Sequence, residues 1–429
     1  MSSTLRLNGR ALRRLVPILA GILVWTGCGD SSSVQPAGID LPPTTAVLPG
    51  PQPRPGHYIV VLKEDIPDVA REALRLSAAY GGRVERTYGH AIKGFAAEMT
   101  PSEALRMEAN PGVDFVEEDQ VFSIETTQNN PTWGLDRVDQ RSLPLNNTYV
   151  YGATGAAITV YVLDTGIRTS HAEFGPNRAS GGFTSVNDGN GTADCNGHGT
   201  HVAGTVGGST YGVAKSVRLV AVRVLDCQGN GTTSGVIAGV DWVTQNHQSP
   251  AVANMSLGGG SSAALDAAVR GSIASGVTYS ISAGNGDAFG NPLDACTRSP
   301  ARVAEALTVA ASTRQDKRAS FSNFGTCVDL FAPGVGITSA FNSGDHATAV
   351  LSGTSMAAPH VTGAAALFLE GNPTASPASV AVALTSNATA GAIGNPGSGT
   401  ANLLLFTGFI GVGPPPPTAP PANPVGPFT

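Results

Sequence analysis

Charge is scarce in this chain: 13% of 429 residues are charged and 6% aromatic. Such a composition excludes a coiled coil or a disordered polyelectrolyte. The net charge is −6 and no run of lysine and arginine occurs, which argues against nucleic acid as the main partner. Cysteine is scarcer still, with five residues and no C-x-x-C spacing, so a zinc site has little to build on. No apolar run, including the one near the N-terminus, is long enough to span a membrane comfortably. What abounds is small residues: 54 glycines, with many Ala, Ser, Thr and Val, suit a compact exported enzyme with many tight turns.

The composition changes along the chain. Arg6, Arg10, Arg13 and Arg14 precede the apolar run Leu15–Trp25, which is too short to span a bilayer comfortably and reads as an export signal over residues 1–28. Thr26-Gly27-Cys28 is similar to a bacterial lipoprotein cleavage box, so contact with a membrane is expected only through lipidation of Cys28. Residues 29–56, rich in Pro, Ser and Gly, read as a linker. Residues 57–125 alternate strand-like and helical patterns in the order β-α-β-β-α-β, the split βαβ plan of a small α+β, ferredoxin-like module. A capping box is expected at Thr100 and Glu103. From 126 to about 407 the pattern is α/β, with a mostly parallel sheet buried on both faces by helices. Ala157–Leu163, Val217–Val224, Val252–Ser256 and Val277–Ile281 read as its strands. A proline-rich tail, 408–429, follows. With Cys28 set aside, Cys195, Cys227, Cys296 and Cys327 allow three pairings, and export makes two disulfides the default.

Three short segments carry the chemistry. Asp164, in Val162-Leu-Asp-Thr-Gly166, falls at the end of a buried strand, where α/β folds place functional side chains. His198 opens a helix-like stretch in Asn196-Gly-His-Gly-Thr-His-Val-Ala-Gly204, and His201 reads as a packed helix histidine, not a metal ligand. Ser355, in Gly353-Thr-Ser-Met-Ala-Ala-Pro359, sits at the start of a helix running through the core to Leu369. Pro359 is expected to be tolerated there because the helix is only in its first turn. A hydroxyl is a poor nucleophile without a base and a group to orient that base, and Asp, His, Ser is one of the known chain orders of such a triad. The Asn285 amide, in Ser282-Ala-Gly-Asn285, and the Ser355 N–H are placed to hold a developing oxyanion.

These three boxes, with Ser256-Leu-Gly-Gly259 and Ser282-Ala-Gly-Asn285, resemble the subtilisin-like serine proteases, and within them the proteinase K branch. Trp133-Gly-Leu-Asp-Arg-Val-Asp-Gln140, Asp194-Cys-Asn-Gly-His-Gly-Thr-His201 and Ala253-Asn-Met-Ser-Leu-Gly-Gly-Gly260 are most similar to the aqualysin-type enzymes. Residues 57–124 resemble the inhibitory propeptide of that family. The resemblance implies an exported serine endopeptidase acting on protein or peptide substrates through Asp164, His198 and Ser355. It further implies a self-processed precursor cut near Glu125–Thr126, with its own propeptide as intramolecular inhibitor. Ser256, Leu257 and Gly258 would form one wall of the substrate cleft, and Gly229 to Thr232, with Gly229 and Gly231, the other. The cysteines would pair as Cys195–Cys227 and Cys296–Cys327. Structural calcium would bind at Asp136, Asp139 and Gln140, with a second site at Asp329. A monomer with no catalytic cofactor is expected.

Overall fold

The computed structural model describes residues 52–121 and 126–411. The export signal, Cys28, most of the linker, the end of the 57–125 module and the proline-rich tail beyond residue 411 lie outside these residues.

The first module comprises β1 (Gln52–Leu62), α1 (Val69–Tyr80), β2 (Arg83–Tyr88), β3 (Gly94–Glu98), α2 (Pro101–Glu108) and β4 (Val113–Val121). Its antiparallel sheet runs β2-β3-β1-β4, as the split βαβ reading expects. Both helices start where side chains can take up free amides. Asp68 accepts the Arg71 N–H, and Thr100 and Glu103 form both halves of the capping box. Val60, Leu76, Phe95 and Met107 fill the small core. One boundary differs from expectation: β1 begins at Gln52, inside the segment whose prolines read as linker. Gln52 and Pro53 pair with Val121 and Gln120, and the register then shifts before Tyr58. A proline lacks the ladder N–H, so it fits where the ladder is interrupted.

The larger part begins with β5 (Thr126–Asn129), α3 (Trp133–Val138), β6 (Thr148–Tyr151), β7 (Thr159–Asp164), β8 (Ala179–Thr184), α4 (His198–Gly207) and β9 (Arg218–Arg223). Next come α5 (Thr233–Asn246), β10 (Ala251–Met255), β11 (Gly259–Gly260), α6 (Ala263–Ala274), β12 (Val277–Ser282), β13 (Arg298–Ser299) and β14 (Leu307–Ser312). It closes with β15 (Leu330–Pro333), β16 (Ile337–Ala340), β17 (Thr348–Leu351), α7 (Thr354–Gly371), α8 (Pro377–Ser386), β18 (Thr389–Ala390) and β19 (Leu403–Leu404). Nine strands form one sheet in the order β18-β19-β15-β14-β12-β10-β7-β9-β8. Every pairing in it is parallel except β18 with β19.

Strand side chains alternate between two cores, as a period of two requires. Val160 and Val162 pack with the α4 and α7 residues Val202, Ala203, Val361 and Ala365. Tyr161 and Leu163 pack on the other face with Val236, Val240 and Val269 of α5 and α6. All residues of β7, β10, β12 and β14 are buried, which is why they read as continuous apolar runs. This arrangement delivers the loops after β7, β9, β10 and β12 to the carboxyl edge of one sheet.

Candidate active site

Asp164 ends β7 fully buried, and its Oδ1 lies 2.7 Å from Nδ1 of His198. The same oxygen accepts the Thr165 N–H at 2.8 Å, while Oδ2 has no partner among the described residues. The turn after Asp164 presses on the start of α4: Gly166 has φ +110°, and a Cβ on Gly199 would sit 2.2 Å from the Gly166 carbonyl. Only glycine permits that approach. Burial disfavours the His198 imidazolium, but the Asp164 charge and hydrogen bond outweigh it and raise the pKa above the ordinary 6.5. Asp194 fixes the loop that presents the histidine. Its Oδ1 accepts from Thr165 Oγ1 (2.9 Å) and the Gly197 N–H (2.8 Å), and its Oδ2 from the Thr200 N–H (2.9 Å). His201 is fully buried, with Nε2 3.0 Å from the Ile337 carbonyl, and burial lowers its pKa to about 4. It is a packed histidine, as expected.

Ser355 is the second residue of α7. Its hydroxyl donates to the Ser256 carbonyl at 3.2 Å, and Ser256 Oγ donates back to the Ser355 carbonyl at 2.8 Å. Pro359 accounts for the second bond and corrects the expectation about its position. It is the sixth helical residue, beyond the first turn, so the Ser355 carbonyl lacks its i+4 donor. Ser256, at the end of β10, supplies the missing hydrogen. Asn254 Nδ2 in turn donates to Ser256 Oγ (2.9 Å), and Thr362 Oγ1 to Asn254 Oδ1 (2.8 Å), so a buried chain ties the cleft wall to α7. Asp164 and His198 are thus hydrogen-bonded, whereas the Ser355 hydroxyl points to Ser256 and not to His198. Such links are often unformed without substrate.

Asn285 lines a side pocket together with Ser355. Its Oδ1 accepts both the Thr354 N–H (2.8 Å) and Thr354 Oγ1 (2.9 Å). That fixes the amide flip and leaves Nδ2 free for an acceptor in the cleft. Thr354 was not singled out from sequence; its position one residue before the serine was the only available clue. Gly229, Gly231, Ser256, Leu257 and Gly258 line one cleft of about 460 Å³ with His198.

Cys195 bonds Cys227 and Cys296 bonds Cys327, closing separations of 32 and 31 residues. The first bridge joins the loop before His198 to the loop before Gly229, where Asn196 Nδ2 also donates to the Cys227 carbonyl at 3.0 Å. Asp136 accepts the Asn146 and Asn147 N–H groups (3.1 and 3.0 Å), and Gln140 Oε1 the Asn146 N–H (3.3 Å). Asp139 Oδ2 accepts the Val150 N–H at 2.6 Å, but its buried Oδ1 has no partner, and burial pushes the carboxyl up to about 7. Asp329 accepts the Thr308 N–H (2.7 Å) and is pushed up to about 6, again by burial. Among the described residues, the one group of three close His, Cys or acidic ligands is Asp188, Cys195 and Cys227, whose sulfurs are spent in the disulfide.

A buried carboxylate bonded to an imidazole, a serine at a helix start in the adjoining wall and a free amide beside it define a serine peptidase on a parallel α/β sheet. The chain belongs to the subtilase family, whose model matches residues 155–404, and is a serine endopeptidase. The peptidase inhibitor I9 model matches residues 57–125. The chain is 49% identical to an extracellular serine proteinase of Thermus sp. (strain Rt41A) over 91% of its own length and 98% of that protein's. It is 45% identical to alkaline serine exoprotease A of Vibrio alginolyticus, covering 88% of this chain and 72% of that one. The crystal structure of a cold adapted subtilisin-like serine proteinase matches with TM-score 0.62 and 52% identity, over 65% of this chain and 99% of that one.

Proposed function

We propose that Asp164, His198 and Ser355 form the catalytic triad of an extracellular endopeptidase, with Asn285 Nδ2 and the Ser355 N–H as its oxyanion donors. The observation that carries this reading is the 2.7 Å Asp164–His198 bond in a cleft whose other wall is hydrogen-bonded to Ser355. With a peptide bound, rotation about the Ser355 Cα–Cβ bond turns the hydroxyl from the Ser256 carbonyl towards His198 Nε2. Oγ attacks the scissile carbonyl as Nε2 takes its proton, and the oxyanion forms against Asn285 Nδ2. The imidazolium, held by Asp164, then gives its proton to the leaving amine. Water repeats the sequence on the acyl-enzyme, breaking the ester and freeing Ser355. A single oxyanion donor is worth ~10²–10³ in turnover, a scale taken from subtilisin, a relative of this chain. All these steps run on side chains and backbone of the chain itself.

Substrate lies extended between Gly229–Gly231 and Ser256–Gly258, adding main-chain hydrogen bonds to both walls. The I9 match over residues 57–125 supports an inhibitory propeptide, removed by self-cleavage near Glu125–Thr126. A lipid on Cys28 would sit on the segment that this cut removes, so the processed monomer diffuses freely. Structural calcium is held at Asp136, Asp139 and Gln140, where the unpartnered buried oxygen of Asp139 fits a hard cation. The second calcium site is at Asp329. Ser355→Ala tests the nucleophile: casein hydrolysis and self-processing are expected to vanish together. Persistence of either in purified protein overturns the assignment.

A further inference from the structure

The cleft is almost free of charge. Along the wall that holds His198, the lining side chains are otherwise neutral. Adjoining it is a side pocket of about 180 Å³ lined by Ser355, Asn285, Gly258, Ser282, Asn323 and Arg298, with no acidic side chain. Arg298 is the one permanent charge on either half.

Three features make this arginine more than a surface charge. Its backbone is pinned, because Arg298 pairs with Gly260 across β11 and β13, two residues beyond the Gly258 wall. The residue is partly buried, and its guanidinium makes no hydrogen bond, ion pair or ring contact among the described residues. The nearest acid in its own segment, Asp294, is already used: its Oδ1 accepts the Cys296 N–H at 2.9 Å. A guanidinium with no protein partner, on a partly buried residue, is complementary to a carboxylate.

The geometry of the reaction says which carboxylate. The scissile carbonyl must lie between Ser355 Oγ and Asn285 Nδ2, so the pocket that both residues line receives the side chain of the residue bearing that carbonyl. We infer that this pocket selects glutamate, and next aspartate, immediately before the scissile bond, through Arg298. The inference rests on the triad reading above and extends it to substrate class. The sequence is consistent with this: residue 125, where the inhibitor match ends and near which self-cleavage is proposed, is glutamate. A cut after Glu125 would make the chain's own first substrate one that its pocket fits.

The test uses processed enzyme and peptide anilides identical except for the residue before the scissile bond: Glu, Asp, Gln, Leu or Lys. The expected kcat/KM for Glu exceeds that for its neutral isostere Gln by about 10-fold, the scale of a partly screened charge-assisted hydrogen bond, and shrinks in high salt. Arg298→Glu inverts the Glu-to-Lys ratio, while Arg298→Lys keeps its direction. Ratios are taken within one preparation, so the fraction of folded enzyme cancels. In the precursor, Glu125→Lys slows self-processing, and combining it with Arg298→Glu restores the rate. Equal rates for Glu and Gln, or a ratio unmoved by Arg298→Glu, overturn the inference and leave the triad reading standing. Hydrolysis of no peptide in the series overturns both.

Discussion

Two opposed effects act on the His198 ring: burial disfavours its charged form, and the Asp164 carboxylate favours it and prevails. In the proposed mechanism the neutral ring accepts the serine proton, so activity is expected to rise with pH through a midpoint above 6.5. The sign for stability is opposite. A folded pKa above the unfolded one stabilises the fold at low pH, and that contribution fades as pH rises through the folded value. Replacing Asp164 by Asn removes the charge that raises the midpoint. The kcat/KM profile of Asp164→Asn should shift its acid limb downward, with turnover falling about 10⁴-fold. An unshifted limb would show that Asp164 does not set the His198 pKa. At this scale Asp164, His198, Ser355 and Asn285 were legible because each sits in a short motif with its chemistry on display. Thr354 was not, since its task is to hold an amide 69 residues away, a contact that exists only after folding. Arg298 was missed for the same reason: it reaches the cleft through a two-residue strand.

Among elements, legibility followed burial. The wholly buried strands β7, β10 and β12 read as apolar runs, while α1 was legible from its helical spacing and α2 from its capping box. The edge strand β8, Ala-Ser-Gly-Gly-Phe-Thr, is largely exposed and has no apolar period to read. Strands β18 and β19, two residues each, are defined by their neighbours alone. Helix α7 is the instructive case, because its start and direction were legible but the consequence of Pro359 was not. The proline removes the donor for the Ser355 carbonyl, and Ser256 replaces it at 2.8 Å. Local sequence could show the vacancy but not the residue that fills it, 99 positions earlier. The two residues should therefore be energetically coupled. Ser256→Ala leaves a partly buried carbonyl unpaired and is expected to destabilise the enzyme by about 1–3 kcal/mol. On a Pro359→Ala background the backbone N–H returns, and the same substitution should be nearly silent. Thermal unfolding of the four proteins measures this, and additive effects would remove the proline from the explanation.

For the molecule as a whole, the carboxyl edge of the sheet gathers the chemistry while the opening segment of the large part is held by a separate clamp. Buried Arg137 pairs with Asp316 at 2.8 Å, and the Thr407 N–H donates to the Val138 carbonyl at 2.7 Å. Asp139 lies in the same segment with one buried oxygen unpartnered among the described residues, and burial pushes its carboxyl up to about 7. A buried carboxylate without a partner destabilises the charged fold, and a bound cation reverses the sign. Calcium at 100 times its Kd would add about 2.7 kcal/mol, or ~5 °C in Tm for a domain of this size. Chelation with EGTA should lower Tm by that order while leaving the initial rate at low temperature unchanged, since neither Asp136 nor Asp139 lines the cleft. Asp139→Asn separates a ligand from a merely structural residue. In calcium it should be less stable than the parent enzyme; in EGTA it should be at least as stable, because the amide removes a buried charge. Equal loss of Tm in both buffers would mean that Asp139 supports the fold through its Val150 hydrogen bond alone, with no ion in the account.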